Sequence, residues 1–414
     1  MRDRTSGSQR CGDGAAPRDQ RTACIIAHSH FPMDPRVRRE AEALLSDGWR
    51  VDIVCLRDRG ELRADTWGQA KVHRLPVRRH RGISMAHYVI EYAMFFMLAA
   101  LYVTLLGLRR RYDLVQVHNV PDFLVFAAAS LRLFGARVLL DIRDPLPDLY
   151  LSKFGGNASH PLVRLACWIE ARSTAFADHV LTPGEPSRQR LLGRSVPAQK
   201  VTNILNSADP ELFAPVPRRG AEKSREGRFN LVYHGGLFRR YGLDIAIQAV
   251  HQLRDDIPGL QLRIAGRGEE ADDLARLVEQ LGLVDRVSLV GWVDSERIRE
   301  LVADADLGVV PYRRDTFTDL IYPTKAFEYI TMGIPTIIAG LAGVAELFPD
   351  VPDLFFRPDD VADLARHILL LYQEPQRLSR LAEAAQRAYA PYAWEGQRRE
   401  YIALVERLVA GAVL

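Results

Sequence analysis

Short apolar runs alternate with longer helix-like stretches along almost the whole chain. Such alternation predicts buried parallel strands connected by helices. In the first half the predicted strands are Ala23–Ala27, Val51–Leu56, Val72–Leu75, Leu114–Val117, Val138–Asp141 and Val180–Thr182. In the second half they are Leu231–Tyr233, Leu262–Ala265, Val287–Val290, Leu307–Val310 and Thr336–Ile338. The pattern therefore predicts an α/β fold with two doubly wound, Rossmann-like sheets.

This pattern is interrupted once, near the middle of the chain. Asn203–Phe213 loses its periodicity, and the residues that follow are rich in Pro, Gly and charge. We therefore predict a disordered tail at residues 1–22, an N-terminal domain at 23–210, a linker at 211–228, a C-terminal domain at 229–390 and a C-terminal helix at 391–414. Two such domains predict an interdomain cleft that is lined by the carboxyl ends of the strands.

Two helix boundaries are marked by their residue types. Asp34 is a good N-cap before Pro35 at the first turn of a helix, and Gly48 follows its expected end. The stretch Trp394–Val409 has the spacing of an amphipathic helix.

One helix-like segment, Ile83–Leu108, is apolar at nearly every position. Basic residues bracket it on both sides: Arg78, Arg79, His80 and Arg81, then Arg109, Arg110 and Arg111. Its uninterrupted part is shorter than the roughly 20 residues of a typical membrane span. We favour a buried crossover helix of the first domain over docking on an anionic membrane surface, and both of these over a true span.

Composition and charge restrict the function. A net charge of +3, with 48% hydrophobic and 26% charged residues, is typical of a globular protein and does not indicate a nucleic-acid partner.

The four cysteines, Cys11, Cys24, Cys55 and Cys167, lack a metal-binding spacing and favour a reducing cytoplasm. The pair Asp304 and Asp306 lies beside an apolar strand, and we interpret it as structural. We therefore predict no metal site.

The segment YHGGLFRRYGLD connects a predicted strand to a helix that starts near Tyr241. Gly235 and Gly236 allow the backbone to approach a ligand closely, and the helix start directs amide groups to the same place. Arg239 and Arg240 add two cations that match phosphate oxygens. The segment predicts a diphosphate cradle; the alternative is a tight turn with solvated arginines.

A second helix start lies in the segment LIYPTKAFEYITMGIPT. Pro323 suits the first turn, which places Thr324 and Lys325 at the positive helix end, where they would bind phosphate. Glu328, one turn further along, presents a carboxylate that suits a sugar diol. The alternative is a surface glutamate that pairs with Lys325.

Polar residues follow two strands of the first half. His118 ends one strand, and Asp144 follows the end of the next. His118 could bind a hydroxyl of the acceptor or of the donor sugar, with Asp144 supporting it. The alternative is a structural histidine and a turn-forming Asp-Pro pair.

These motifs resemble glycosyltransferase family 4, a group of retaining enzymes with the GT-B fold. The second half carries YHGGLFRRYGLDIAIQAV, LRIAGRGEE, VSLVGWV, ADLGVVPY and YPTKAFEYITMGIPTIIA, in the family's order and spacing. The first half is similar to a bacterial branch through DPRVRREAEALLSDGW, DLVQVHNVPDFL, LLDIRDP and NILNSADPELF. The resemblance covers nearly everything after Thr22.

The resemblance implies a nucleotide-sugar donor in the second domain, a glycan or lipid-linked acceptor in the first, and no cofactor or essential metal. It implies that Glu328 binds the ribose hydroxyls and that amides near Thr324 and Lys325 hold the diphosphate. Backbone around Trp292 and Val293 would meet the base. By the same resemblance, the first-domain histidine named above corresponds to the active-site histidine of the family.

Two departures from the family pattern change the expected donor site. The first of the family's two glutamates falls on Leu320 here. The segment Gly235–Gly242 is called the glycine loop below. The family's Arg and Lys in this loop fall on Gly236 and Tyr241. Arg239 and Arg240 must therefore supply the charge at the diphosphate.

We therefore predict a retaining hexosyl- or N-acetylhexosaminyl-transferase whose catalytic residues are His118, Arg240 and Asp144. The alternatives are a nucleotide-sugar epimerase of the same fold and a non-catalytic sugar-nucleotide-binding protein. The expected location is the cytoplasm, with peripheral attachment to the inner face of the cell membrane if the apolar segment docks there.

Overall fold

The computed structural model describes residues 20–77, 85–153, 155–216 and 227–411. The strands of the first half are β1 Thr22–His30, β2 Arg50–Leu56, β3 Ala64–Trp67, β4 Ala70–Leu75, β5 Leu114–His118, β6 Arg137–Asp141, β7 His179–Thr182 and β8 Val201–Asn203. Its helices are α1 Pro35–Ser46, α2 Met85–Gly107, α3 Ala129–Leu133, α4 Leu146–Lys153, α5 Pro161–Phe176 and α6 Glu185–Gly193, with a 3-10 segment at Asp122–Ala128.

The second half repeats this construction. Its strands are β9 Phe229–Gly236, β10 Leu260–Arg267, β11 Val287–Gly291, β12 Leu307–Val310, β13 Thr336–Ala339 and β14 Phe355–Phe356. Its helices are α7 Leu243–Gln252, α8 Ala271–Gln280, α9 Ser295–Ala303, α10 Thr324–Met332, α11 Ala342–Leu347, α12 Val361–Gln373, α13 Pro375–Tyr389 and α14 Trp394–Val409.

Both sheets have the order of doubly wound folds. The first is β3-β4-β2-β1-β5-β6-β7-β8, parallel except for the antiparallel pair β3/β4. The second is β11-β10-β9-β12-β13-β14. Strand order reverses direction between β1 and β5 in the first sheet, and between β9 and β12 in the second. Ligands of such sheets bind outside the carboxyl ends at these reversals. The two reversals therefore mark where the site should lie.

The predicted strands are all present, and the fold class follows from them. Three short strands were not predicted: β3, β8 and β14. They are two to four residues long and lie at or beside the sheet edges, so their sequences lack the continuous apolar run of a central strand. The predicted tail lies outside the described residues up to residue 19, and Thr22 already belongs to β1. Residues 217–226 of the predicted linker also lie outside.

The capping prediction for α1 is confirmed. The Asp34 carboxylate accepts hydrogen bonds from the amides of Arg36 and Val37 at 3.2 and 3.3 Å, and Pro35 is the first helical residue. Gly48 follows the helix with a φ of 85°, as expected of a glycine just past a helix end. This helix start directs the Asp34 side chain to the carboxyl ends of the strands.

The C-terminal helix α14 spans Trp394–Val409, as the sequence predicted. Although it follows the second domain, it packs on the first. Tyr401, Leu404 and Val405 are buried in the apolar layer that covers one face of the first sheet. The Tyr401 hydroxyl also donates to Gln116 Oε1 in β5 at 2.5 Å. The last helix therefore connects both domains.

The predicted crossover helix in the segment Ile83–Leu108 is present between β4 and β5, but the prediction that it is buried is wrong for one of its faces. The helix, α2, begins at Met85, and its inner face packs Phe95, Ala99 and Val103 into the core. Only 28% of the residues in its most apolar window are buried. Its opposite face exposes apolar side chains to solvent, including Ile90 at 63%, Met97 at 66% and Leu101 at 60%, with Met94, Leu105 and Leu108. Apolar residues occupy every side of α2, so hydropathy alone does not identify its core face.

In the described residues, α2 is the one helix that is long and apolar enough to cross a membrane by length and composition. Arg78, Arg79, His80 and Arg81, which precede it in sequence, lie outside the described residues.

Candidate functional site

The glycine loop lies where the second sheet reverses its strand order. Gly235 has a φ of 126°, which favours glycine, and a Cβ there would lie 3.1 Å from Lys325 Cε. Gly266, at the end of β10, approaches the loop so closely that a Cβ would lie 1.8 Å from the carbonyl oxygen of Gly235. The Gly266-Arg267-Gly268 motif therefore supports the loop from beside it. The helix α7 begins at Leu243, slightly later than the predicted start near Tyr241, after a 3-10 turn.

Lys325 reaches under this loop from the first turn of α10. Its ammonium lies 5.0, 5.1 and 4.7 Å from the ring centroids of Tyr233, Tyr241 and Tyr312, and it donates a hydrogen bond to the Tyr312 hydroxyl. Burial lowers the pKa of Lys325 to about 8, while the nearby Glu328 carboxylate opposes this shift. The ammonium thus stands over Tyr241, where the family's loop lysine is absent.

Glu328 lies one turn further along α10 and faces the strand end of β9. Its Oε2 is 2.8 Å from Nε2 of His234, and its side chain is 17% exposed. The His234 ring stacks on Phe213 at 6.3 Å between centroids. The carboxylate is therefore held in place and keeps an accessible edge, as the proposed contact with a sugar diol requires. Thr324, at the start of α10, is half-buried beside the same strand end.

The structure separates the two loop arginines. Arg239 is exposed and lines a depression on the outer side of the second domain with Asp244 and Glu270. Arg240 stacks over the Phe317 ring at 5.1 Å and is close enough to Asp144 of the first domain to oppose the rise of its pKa. Arg240 therefore faces the interdomain cleft, and Arg239 does not.

Trp292 and Val293 follow the end of β11. The Trp292 ring is 58% exposed, and the Arg267 guanidinium lies 5.5 Å from its centroid. An exposed aromatic ring backed by a cation at the edge of the glycine loop has a face onto which a nucleobase could stack. The predicted contact with a base used backbone atoms; the ring and Arg267 add a side-chain surface that the sequence did not suggest.

The first-domain wall of the cleft is a loop that follows β6. Arg143 Nη1 donates to both carboxylate oxygens of Asp34, at 2.9 and 2.8 Å. Burial by itself raises the pKa of Asp34, but the Arg143 guanidinium outweighs this effect and lowers that pKa to about 2. The Asn119 side chain donates to the backbone carbonyl of Asp144 at 2.7 Å and accepts from the amide of Arg143 at 2.8 Å. This clamp fixes the backbone of Asp144 at the cleft, and desolvation raises the pKa of the Asp144 carboxyl.

The structure contradicts the predicted roles of His118. Its ring is fully buried, with Nδ1 2.9 Å from Asp141 and Nε2 3.3 Å from Glu40. Asp144 is not its partner, and a ring without exposed surface cannot contact an acceptor or a donor sugar in this conformation. The structural alternative fits better, because the ring is held by two carboxylates below the cleft. The family motif identified the strand end correctly but not the direction of the side chain.

Among the described residues, Glu40, His118 and Asp141 are the group whose spacing could hold a metal ion. Arg36 already occupies this place. Its Nε and Nη2 donate to Asp141 at 2.7 and 2.8 Å, and its Nε lies 3.3 Å from Glu40. A guanidinium between two carboxylates supplies the positive charge that a metal would bring. The donor set therefore does not fit a metal. Asp304 and Asp306 likewise bind protein groups, the Arg263 side chain and the Asn230 amide.

A cavity of about 590 Å³ opens from the cleft into the first domain. Asp144, Arg143 and Asn119 line its end at the cleft, and apolar side chains of α2, α4 and α5 line the rest. His28, at the end of β1, also lines it, and His28 Nε2 lies 3.1 Å from the buried Glu91 of α2. Two polar residues, His87 and Glu91, interrupt the apolar α2 segment in sequence. The contact with His28 explains the one at position 91.

Four site residues were missed by the sequence analysis: His28, Asn119, His234 and Arg267. Each lies near the carboxyl end of a strand, and two of them, Asn119 and His234, adjoin a predicted site residue in sequence. The position at a strand end was the available signal, since such ends converge at the reversal of strand order. Their partners, which are distant in sequence, could not be identified without the fold.

Family models match both halves of the chain. Residues 33–207 match the model described as "Glycosyl transferase 4-like domain", and residues 218–388 match "Glycosyl transferases group 1". The gpi3 subunit of phosphatidylinositol N-acetylglucosaminyltransferase from Schizosaccharomyces pombe is 26% identical over 47% of this chain and 41% of that protein. Alpha-D-kanosaminyltransferase from Streptomyces kanamyceticus is 28% identical over 53% of this chain and 58% of that protein. The chain thus spans about half the length of these relatives.

Solved structures match over nearly the whole chain. Sucrose-phosphate synthase from Thermosynechococcus elongatus has a TM-score of 0.76 at 20% identity, covering 95% of this chain and 100% of that chain. The HepE protein of Anabaena, solved with UDP-glucose, has a TM-score of 0.68 at 16% identity, covering 93% of this chain and 99% of that chain. These similarities confirm the predicted GT-B fold.

Proposed function

Because the chain belongs to the family 4 type of glycosyltransferases, we propose that it moves a sugar from a nucleotide-sugar donor to an acceptor with retention of anomeric configuration. One observation carries the proposal. Two cations from different elements flank the glycine loop: Lys325 lies under it among three tyrosine rings, and Arg240 lies over the Phe317 ring near Asp144. A diphosphate leaving group placed there would meet both cations and the amino-terminal end of α10.

The chemistry follows from this placement. When the bond between the sugar and the diphosphate breaks, negative charge grows on the phosphate oxygens and the sugar acquires oxocarbenium character. Fixed cations stabilise that growing charge without reorganising. An acceptor hydroxyl approaches on the same face, forms the new glycosidic bond and gives its proton to the departing phosphate oxygen. No carboxylate pair of the hydrolase type is needed for such a step.

The donor site makes a direct prediction for Glu328. Glu328→Ala should weaken nucleotide-sugar binding by about ten- to a hundredfold, because two charge-assisted hydrogen bonds to a diol are lost. Calorimetric titration of the wild-type and variant proteins measures this effect. Glu346→Ala, on α11, is the matched control for a lost surface carboxylate. Equal donor affinity of Glu328→Ala and the wild type would refute the assignment.

We further propose that transfer requires no metal. The support is the guanidinium between Glu40 and Asp141 and the pair of cations at the diphosphate position. Turnover measured in excess chelator should equal turnover without chelator. Loss of activity in chelator that magnesium or manganese restores would contradict this part of the mechanism.

We propose that the protein acts at the inner face of the cell membrane, bound through the outer face of α2. That face carries the exposed apolar stripe of Ile90, Met97 and Leu101, and exposed Arg109 and Arg111 follow the helix end. Arg110 is not available for lipid, because its Nη1 donates to the buried Asp52 at 2.9 Å. An apolar face next to basic side chains is complementary to an anionic bilayer surface.

This proposal predicts binding to anionic liposomes that salt weakens. Replacing both Arg109 and Arg111 by Gln should reduce liposome binding by about thirtyfold, at about 1 kcal/mol per basic residue near the surface. Cosedimentation with vesicles of anionic and of neutral lipid measures the effect. Arg380 and Arg387, exposed on α13 of the second domain, provide the control double variant. Failure to bind anionic vesicles, or equal loss in both double variants, would argue against docking through α2.

A further inference from the structure

The cavity that opens from the cleft into the first domain has walls of unequal polarity. We call its apolar part the α2–α5 groove. Tyr92 and Ala93 of α2 form one wall, Leu165 and Ala166 of α5 form the other, and Phe123 of the 3-10 segment lies between them. The volume of the whole cavity, about 590 Å³, is within the range of small-molecule sites.

The end of the cavity at the cleft is polar. Asp144, Arg143 and Asn119 lie there, and Arg240 of the second domain faces Asp144. An occupant must therefore have a polar head at this end and an apolar chain along the groove. The donor does not meet this requirement, since a nucleotide sugar is polar along its whole length. The acceptor is the remaining substrate of a transferase.

The outer surfaces of the same two helices are also apolar. On α5, Trp168 is 58% exposed with the Arg172 guanidinium 5.7 Å from its ring, and Leu165 is 49% exposed. On α2, Val89 lines the groove and is 59% exposed, next to the outer apolar stripe. A chain that leaves the groove between α2 and α5 would therefore continue over apolar surface rather than into water.

We propose that the α2–α5 groove binds the apolar chain of a membrane-borne acceptor and thereby places the acceptor's hydroxyl head at Asp144, beside the donor. This inference rests on the proposed transferase function and specifies the class of its acceptor: an amphipathic lipid. The Asp144 carboxyl accepts hydrogen bonds from the head, and the chain length sets how strongly the acceptor binds.

The test uses alkyl β-D-glucosides with methyl, hexyl, octyl and decyl chains, kept below the concentrations at which they form micelles. The head is constant across the series, so any change in affinity reports the chain. Binding to the full-length protein should strengthen about threefold or more for each methylene that enters the groove. Affinity that does not depend on chain length would overturn the proposal.

Two matched variants locate the effect. Ala93 and Ala171 are both exposed alanines within helices, but Ala93 lines the groove, whereas Ala171 of α5 does not line it. Ala93→Trp should fill the groove and weaken decyl glucoside binding at least tenfold while leaving methyl glucoside unchanged. Ala171→Trp should bind every glucoside as the wild type does. Equal behaviour of the two variants would contradict the assignment of the groove.

Nucleotide-sugar binding, measured on the same samples, separates this inference from the proposed function. Donor binding that persists in Ala93→Trp while decyl glucoside binding is lost supports both. Donor binding without any dependence on chain length overturns the groove alone, and the absence of donor binding in the wild type overturns the transferase. If Ala93→Trp does not fold, Leu165→Gln on the opposite wall should weaken decyl glucoside binding in the same way, and unchanged binding in that variant overturns the groove.

Discussion

Arg240→Ala should lower turnover by about 10²–10³-fold, with a smaller effect on donor binding. Arg240 lies at the cleft near Asp144, and in the proposed mechanism its guanidinium stabilises the charge that grows as the sugar leaves. An interaction that strengthens with that charge stabilises the transition state more than the ground state. Steady-state kinetics and calorimetric donor titration together measure the two effects.

Arg239→Ala is the matched control for this experiment. The two arginines are adjacent in sequence, but Arg239 points to the outer surface beside Asp244 and Glu270. Its removal should leave turnover nearly unchanged. Arg240→Lys should recover part of the activity, because lysine keeps the charge and loses the planar fork. An inactive Arg239→Ala beside a normal Arg240→Ala would show that the structure assigns the wrong arginine.

Lys325→Met should lower turnover by about a hundredfold and also weaken donor binding. The ammonium lies among three tyrosine rings under the glycine loop, and it is the second cation available to the diphosphate. Methionine retains most of the side-chain volume and removes a charge that burial disfavours, so the variant should still fold. Thermal unfolding of the variant therefore serves as the control for folding.

The lowered pKa of Lys325 adds a pH dependence to this prediction. In the free protein its pKa is about 8, so the ammonium is protonated below that pH and progressively neutral above it. A bound diphosphate favours the protonated form, so donor affinity should be highest below pH 8 and fall as the pH rises above it.

Tyr233 and Tyr312 do not contribute to this pH dependence, because burial raises the pKa of both hydroxyls. Lys325→Met should bind weakly at every pH. A wild-type affinity that is constant between about pH 7 and pH 9.5 would contradict the role of Lys325.

Much of this architecture could be predicted because central strands are apolar runs and their ends are polar. The strand ends at Gly235 and His118 were identifiable from sequence for that reason, and the cap at Asp34 followed from residue type. The burial of α2 could not be predicted, since its inner residue Phe95 and its outer residue Met97 are equally apolar. Only the neighbouring elements decide which side of such a helix is covered.

The candidate site shows a similar division. The glycine loop and the helix start of the proposed donor site could be identified from sequence, because glycines and helix starts have local signatures. The contacts between segments that are distant in sequence could not be identified in this way. Lys325 lies over Tyr241, eighty-four positions away in sequence, and His118 points down to Asp141 instead of into the cleft. Such pairings depend on strand order and on the approach of elements, which no local pattern contains.

Product analysis tests the central claim most directly. The protein would be incubated with a panel of nucleotide sugars, with and without a lipid extract as acceptor, and the products followed by mass spectrometry and NMR. We predict that one nucleotide sugar releases its nucleoside diphosphate only when acceptor is present, and that the sugar appears on a lipid with its anomeric configuration retained. Conversion of the nucleotide sugar to an epimer without acceptor, or binding without any release of nucleoside diphosphate, would contradict glycosyl transfer.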